Sequence, residues 1–377
     1  MYDYIIRNGH VIDPASGTDE KQNIAVQDGR IVKCRDGVAA HHTIDAQGYF
    51  VSPGFIDFHT HVYPGSTFYV KHELLFASGV TGLVDAGTTG ICNFEDFYRK
   101  TITSSMQKVK AYLNISSVGQ PGGGIEESLD PGLFDEKGIT RLFRQYPDTL
   151  LGLKIRFSRH LVKEHGITPF MKTLELARRL NTAVCVHTTD PPMDAAELVS
   201  LLDKDDIYCH VFQGHGSTII GEDGILKEAF WLARKRGVIF DGANGRMNFD
   251  FSVAMPALKN GFWPDVISTD LTSLSFNMPG LSPVKTLPFI MSKYLSLGMA
   301  LPDLIRSVTE TPARLMRLEG ENGTLREGAR ADVTLFRIEN KSARFIDSAS
   351  QPITGNKLII PVLTMADGKI LFNGEYL

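Results

Sequence analysis

Short apolar runs, each closing on a polar residue, recur through the middle of the chain. Gly54 to Phe58, Gly82 to Ala86, Ala111 to Ser116, Leu150 to Ile155, Ala183 to Val186, Asp206 to Cys209, Val238 to Asp241 and Val266 to Ser268 are mostly β-branched or aliphatic. They are apolar on both faces, as buried parallel strands require. Helical segments alternate with them. Thr168-Pro169 opens a helix over Phe170 to Leu180, with a capping residue and then a proline at the first helical position. Ile225 to Arg236 ends in a cationic turn before Gly237, and Pro283 to Leu297 stops at Gly298. Eight β-then-α units predict an α/β protein, a (β/α)8 TIM barrel.

The two chain ends read as β-structure. Tyr4 to Arg7, Gln22 to Val26 and Arg30 to Lys33 are short strands, with Asp28-Gly29 as a hairpin signal; Ala331 to Phe336, Val362 to Met365 and Lys369 to Phe372 follow late in the chain, the last two joined by Asp367-Gly368. Residues 1–50 and 323–377 are therefore expected to form one small β-sandwich domain, with 51–322 as the barrel.

A chain of 377 residues is long enough for both units. With 43% apolar and 22% charged residues it reads as an ordinary globular enzyme. The formal charge of −4 and the lack of a basic run argue against nucleic acid as a partner. Cys34, Cys92, Cys185 and Cys209 are scattered, with no CxxC pair, which suits a reducing compartment. The N-terminus lacks a signal-peptide core, and no apolar run approaches the roughly 18 residues of a membrane span. A cytoplasmic protein that makes no membrane contact, acts on a small molecule and self-associates is expected.

The chemistry sits at the strand ends, which converge on one mouth in a parallel barrel. His59 and His61 in Asp57-Phe58-His59-Thr60-His61 lie two apart, hence on one strand face, and can share a divalent cation such as zinc. Asp57 lies on that face one layer deeper and is placed to orient a histidine. Lys154, among Leu151, Leu153 and Ile155, is costly to bury unless paired or modified. Desolvation favours its neutral amine, which can take up carbon dioxide to give an anionic carbamate suited to bridging two cations. His187 and His210 end consecutive strands, where a second ion would need nitrogen ligands. Asp270 ends the eighth strand and can both ligate metal and accept a proton.

Other residues are placed more simply. His215 reads as a loop residue, and His10, His41, His42, His72, His160 and His165 as solvated. The loop Gly119-Gln120-Pro121-Gly122-Gly123-Gly124 lacks a phosphate-binding pattern and reads as a flexible rim. Leu271 to Ser282 is expected to wall the pocket, and Asn244 to reach substrate.

Together these residues resemble the amidohydrolase superfamily of metal-dependent hydrolases, over essentially the whole chain. Pro53 to His61 and Gly323 to Asp332 carry the general resemblance. Asp85 to Gly90, Gly152 to Arg159 and Cys209 to Gly214 look like a dihydroorotase-like amidohydrolase/deacetylase branch. The resemblance implies two divalent metal ions, with zinc expected. His59, His61 and Asp270 would hold one and His187 and His210 the other, bridged by carbamylated Lys154 and a hydroxide. Asp270 would serve as general base and then acid. Dihydroorotases of this family carry an arginine two positions after the second histidine, whereas here Val62-Tyr63 follows His61. Arg156, on the face of Lys154 and nearer solvent, is the candidate replacement for holding a substrate carboxylate.

The expected activity is hydrolysis of an amide, or an ester, of a small acylated acid, deacetylase-like. A cyclic amidase of dihydroorotase or hydantoinase type needs the same attack geometry. A zinc-dependent deaminase is the rival, although Thr188 and Val211 follow the two histidines where such enzymes carry glutamate nearby, and Lys154 speaks for two metals. A non-enzymatic relative would have to have retained all six ligand positions without using them.

Overall fold

The computed structural model describes residues 1–377 apart from Asp36, Pro279 and Tyr376. Seven parallel strands lie in sequence order: Phe55–Thr60, Val80–Ala86, Lys108–Asn114, Leu150–Arg156, Ala183–His187, Ile207–Cys209 and Ile239–Asp241. The eighth place is filled by an irregular segment. Val266 bridges Asp241, Leu271 bridges Thr60, and Asp270 N–H donates to the His59 carbonyl at 2.8 Å, which closes the barrel. The strand expected at Val266 to Ser268 is thus reduced to isolated bridges. Thr269 N–H is taken by the Asp57 carboxylate, and Asp270 turns to φ 51°, through which no strand continues.

The first two units depart from the expected alternation. A 3-10 helix, His72–Ser78, follows the first strand, and a four-residue helix, Phe94–Phe97, runs into a π turn after the second. Later helices are regular. Thr168–Arg179 starts one residue earlier than a Thr168 cap would place it; Ile167 occupies the cap with no side-chain bond, and Pro169 pre-sets the first turn. Glu228–Arg236 ends on Gly237 at φ 95°, a left-handed stop that glycine adopts without strain. Leu287–Ser296 is capped by the Thr286 hydroxyl, which accepts from Phe289 N–H.

Both chain ends meet in two packed sheets. One runs in the order Lys369–Asn373, Pro352–Ala366, Val333–Ile346, Phe50–Pro53, His10–Asp13, Thr18–Lys21; the other runs Arg30–Val32, Ile24–Gln27, Tyr2–Arg7, Ala40–Asp45. Ile6, Val26, Val51, Leu335 and Met365 share their core. The two Asp-Gly turns adopt positive φ at both residues and pack together, so that a Cβ on Gly368 would lie 2.7 Å from Gly29 Cα. The hairpin Val333–Ile346 with Pro352–Ala366 is far longer than its apolar segments suggest. Its outer part is polar and leans on the barrel: Ile359 N–H donates to Ser292 Oγ at 2.9 Å. Among the described residues no helix is long and apolar enough to cross a membrane.

Candidate active site

The mouth of the barrel collects His59, His61, Lys154, His187, His210 and Asp270. His59, His61 and Asp270 offer ligand atoms within 4.8 Å of one another. Asp270 Oδ1 lies 3.1 Å from His61 Nε2 and 3.7 Å from His59 Nε2. The His187 and His210 rings stand 4.4 Å apart, and His210 is 5.2 Å from His59. The two histidine sets therefore share one chamber.

The outer nitrogens are fixed by neighbours. His210 Nδ1 lies 2.7 Å from the Ala243 carbonyl, which can only accept, so the proton sits on Nδ1 and Nε2 is bare. His59 Nδ1 lies 3.1 Å from Asp241 Oδ2. His61 Nδ1 lies 2.7 Å from Thr88 Oγ1, whose hydroxyl donates to Asp85 Oδ2 at 2.8 Å. In His59 and His210 this leaves Nε2 for a ligand, the usual arrangement around a metal-binding imidazole, while His61 Nε2 faces Asp270 Oδ1.

Protonation states agree with that role. Burial holds His59 and His187 well below the usual imidazole range and takes His210 down to about 3. Burial works to raise Asp270, but the His61 hydrogen bond and the surrounding imidazoles of His59 and His210 outweigh it and hold it below the usual carboxylate range. Neutral imidazoles beside an ionised carboxylate are what a divalent cation requires, so these residues fit the metals expected from the sequence.

Lys154 is buried, at 1% exposure, and its Nζ lies 3.7 Å from Cys185 Sγ and 4.0 Å from Cys209 Sγ. These two of the scattered cysteines meet in the barrel, with their sulfurs 3.2 Å apart. Burial alone was expected to leave the amine neutral. Burial does oppose the charge, but the sulfurs of Cys185 and Cys209, then Asp270 and Asp241, outweigh it and hold the ammonium above the ordinary lysine range. Gly87, at φ 87°, passes so close that a Cβ there would sit 2.5 Å from Lys154 Cβ.

Asp57 does not reach a histidine side chain. It accepts from Thr269 N–H at 3.0 Å and from the Thr269 hydroxyl at 2.6 Å, and so holds the segment that carries Asp270. Arg156 donates to Glu127 Oε2 at 2.8 Å, a partner brought in by the loop after the third strand. Asn244 is fully buried and donates to the Ser268 carbonyl at 3.1 Å. Ser273 of the segment after Asp270 is tied to Thr67, and Pro279 lies outside the described residues. His72 is not solvated: it is buried and lies 3.0 Å from Gln107 Oε1. His10 lies 2.6 Å from Asp19, and His42 stacks on Tyr4.

Three supporting residues escaped sequence reasoning. Asp241 ends a strand that was recognised, and that position alone was the available signal. Asp85 lies in a motif that was noted without a role. Asn248, which donates to Asp270 Oδ2 at 2.8 Å, lies in a loop with no pattern to mark it. A large cleft lies elsewhere, at the opposite end of the barrel beside Arg141, Arg144, Arg179 and Arg317, and holds none of this constellation.

Known proteins share this sequence pattern and fold. The model of the amidohydrolase family matches residues 50–371. A deacetylase from Agrobacterium fabrum is 32% identical over 340 residues, which are 89% of this chain and 82% of its own. A crystal structure titled as an adenine deaminase superposes with TM-score 0.88 at 30% identity, covering 99% of this chain and all of its own. Another titled as a dihydroorotase gives TM-score 0.88 at 29% identity, covering 98% and 99%. The chain belongs to the amidohydrolase family and is a metal-dependent hydrolase.

Proposed function

We propose that the chain is a binuclear hydrolase that removes the acyl group from a small acylated acid, cleaving an amide or an ester. His59, His61 and Asp270 would hold one divalent cation, with zinc the best match to the donors, and His187 and His210 the other; carbamylated Lys154 would join them. When bound, the pair supplies a water acidified toward neutral pH and polarises the substrate carbonyl. Asp270 takes the proton of the attacking water and returns it to the leaving group. Arg156 holds the substrate carboxylate with the part of its guanidinium that Glu127 leaves free, and Asn244 shapes the wall behind.

The observation that carries this reading is the buried Lys154, whose charge is felt by His59, His187 and His210 alike. With both cations bound, the Lys154 ammonium would be disfavoured, and its free amine could add carbon dioxide and release a proton.

The test is metal content per chain in protein grown with zinc and bicarbonate, for wild type, Lys154→Ala and Lys154→Met, followed by a screen of N-acyl and O-acyl acids. Two metals, falling in both variants, with hydrolysis of an acylated acid, support the proposal. One metal unaffected by the substitutions overturns the bridged centre. Turnover of cyclic amides alone would move the reading to a cyclic amidase.

A further inference from the structure

Asp270 uses its two carboxylate oxygens differently. Oδ1 faces His61 Nε2 at 3.1 Å, while Oδ2 accepts from Asn248 Nδ2 at 2.8 Å. The Asn248 amide is itself oriented. Its Oδ1 accepts from the Thr189 hydroxyl at 2.9 Å, and the Thr189 carbonyl accepts from Ser158 Oγ at 2.6 Å. An amide whose oxygen already receives a hydroxyl must turn its N–H groups to the carboxylate, which can only accept. Asn248 is buried, at 6% exposure, so solvent does not compete for these bonds.

The backbone is built for this approach. A Cβ on Gly245 would lie 2.4 Å from Asn248 Nδ2 and 2.5 Å from Asp270 Oδ2, and Gly245 has φ 52°. Asp270 is itself left-handed, at φ 51°, and its backbone N–H is held by the His59 carbonyl. A strained aspartate at a site persists only when its surroundings over-determine it. Here the loops after the fifth, seventh and eighth barrel positions converge on one carboxylate.

We propose that Thr189 and Asn248 form a positioning pair for Asp270. They hold Oδ2 away from the metal-facing side, so that Oδ1 alone points to His59 and His61. The inference rests on the proposed role of Asp270 and adds the residues that aim it. Asn248 bonds Asp270 and Thr189 and acts through Asp270.

The experiment is a competition titration of apoprotein with zinc against a chelator, for wild type, Asn248→Ala, Thr189→Val and Thr189→Ser, with kcat and KM on any substrate found. Loss of a group that orients a ligand weakens metal affinity by about 10–100-fold. That loss is expected for Asn248→Ala at the ion held by His59 and His61. Thr189→Val should weaken the same ion less, Thr189→Ser should restore it, and the double variant Asn248→Ala with Thr189→Val should be no worse than Asn248→Ala alone. Where activity is measured, kcat should fall with KM nearly constant. Zinc affinity within about twofold of wild type in both Asn248→Ala and Thr189→Val overturns the pair, as does full additivity in the double variant. Because zinc affinity needs no substrate, failure of the acylated-acid screen counts against the proposed function and not against this pair.

Discussion

Asp57 offers the sharpest test of how the site is braced. Its carboxylate is buried and accepts both the N–H and the hydroxyl of Thr269, the residue before Asp270. Asp57→Ala leaves both donors buried and unpaired, at roughly 1–3 kcal/mol each, so a loss of about 2–6 kcal/mol in unfolding free energy is expected. Asp57→Asn keeps one acceptor and should lose about half of that at the acid end. The two variants also separate in their pH dependence. Burial, with a smaller push from Asp241, raises the Asp57 carboxyl from 3.8 to about 7 against the pull of the Thr269 hydrogen bonds. The folded chain therefore holds this proton more tightly than the unfolded one. The stability from this group is complete below the unfolded pKa and is lost as pH rises through the folded one. A shift of about three units corresponds to roughly 4 kcal/mol. Asparagine has no proton to lose, so wild-type stability relative to Asp57→Asn should fall by roughly 4 kcal/mol from about pH 4 to about pH 7, turning the acid-end advantage into a deficit. The assay is urea denaturation with excess chelator, so that metal affinity does not enter. A gap constant across that range, or an Asp57→Ala variant within about 1 kcal/mol of wild type, refutes the reasoning.

Further outcomes follow from other contacts. Lys293 is buried with no hydrogen-bond partner, its Nζ lies 3.5 Å from the centre of the Phe249 ring, and burial lowers it to about 7. The unfolded chain binds this proton more tightly, so wild-type stability should rise between about pH 7 and pH 10, whereas Lys293→Met should be flat in that window and more stable at pH 7 by about 1–4 kcal/mol in calorimetry. Asp241→Asn disturbs the partner of His59 Nδ1 and should weaken zinc affinity by about 10–100-fold in a chelator competition. Gly87→Ala forces a Cβ against Lys154 at φ 87°, and denaturation should show a loss of about 2–5 kcal/mol from left-handed strain and overpacking.

The elements legible in the sequence were those whose pattern is local. Each barrel strand from Phe55–Thr60 to Ile239–Asp241 shows as an apolar run because it is buried on both faces. The Asp28-Gly29 and Asp367-Gly368 turns show because positive φ selects these residues. The eighth strand misled because its apolar residues, Val266 and Ile267, are buried as a strand's would be, while the Ile267 N–H turns to the Ser307 carbonyl and the Thr269 N–H to the Asp57 carboxylate instead of to a neighbouring strand. The outer hairpin was missed because residues such as Lys341 and Lys357 face solvent and leave no alternation to read. At the site, histidines and a lysine at strand ends announce themselves by their cost of burial. Their orienting partners do not. Asn248 and Thr189 are ordinary polar loop residues, and only the fold brings positions 59 residues apart within 2.9 Å.

The same distinction explains how relatives so alike can be titled deacetylase, dihydroorotase and adenine deaminase. The barrel interior fixes His59, His61, Lys154, His187 and His210 on strands or at strand ends, where a change in one side chain disturbs packing on both faces. Around the mouth, the residues that shape the pocket stand on strand ends and on connecting loops, and loops tolerate change more readily than strands. In this chain Glu127 arrives from the loop after the third strand and takes one edge of Arg156. A substrate carboxylate would have to share that guanidinium with an existing anion. Repulsion between the two anions then favours a substrate whose carboxylate approaches the opposite edge, which sets its orientation toward His187 and the Asp270 proton acceptor. Glu127→Gln, by removing the competing charge, should lower KM for an acylated acid with little change in kcat, and an increase in KM would place Arg156 outside the substrate pocket.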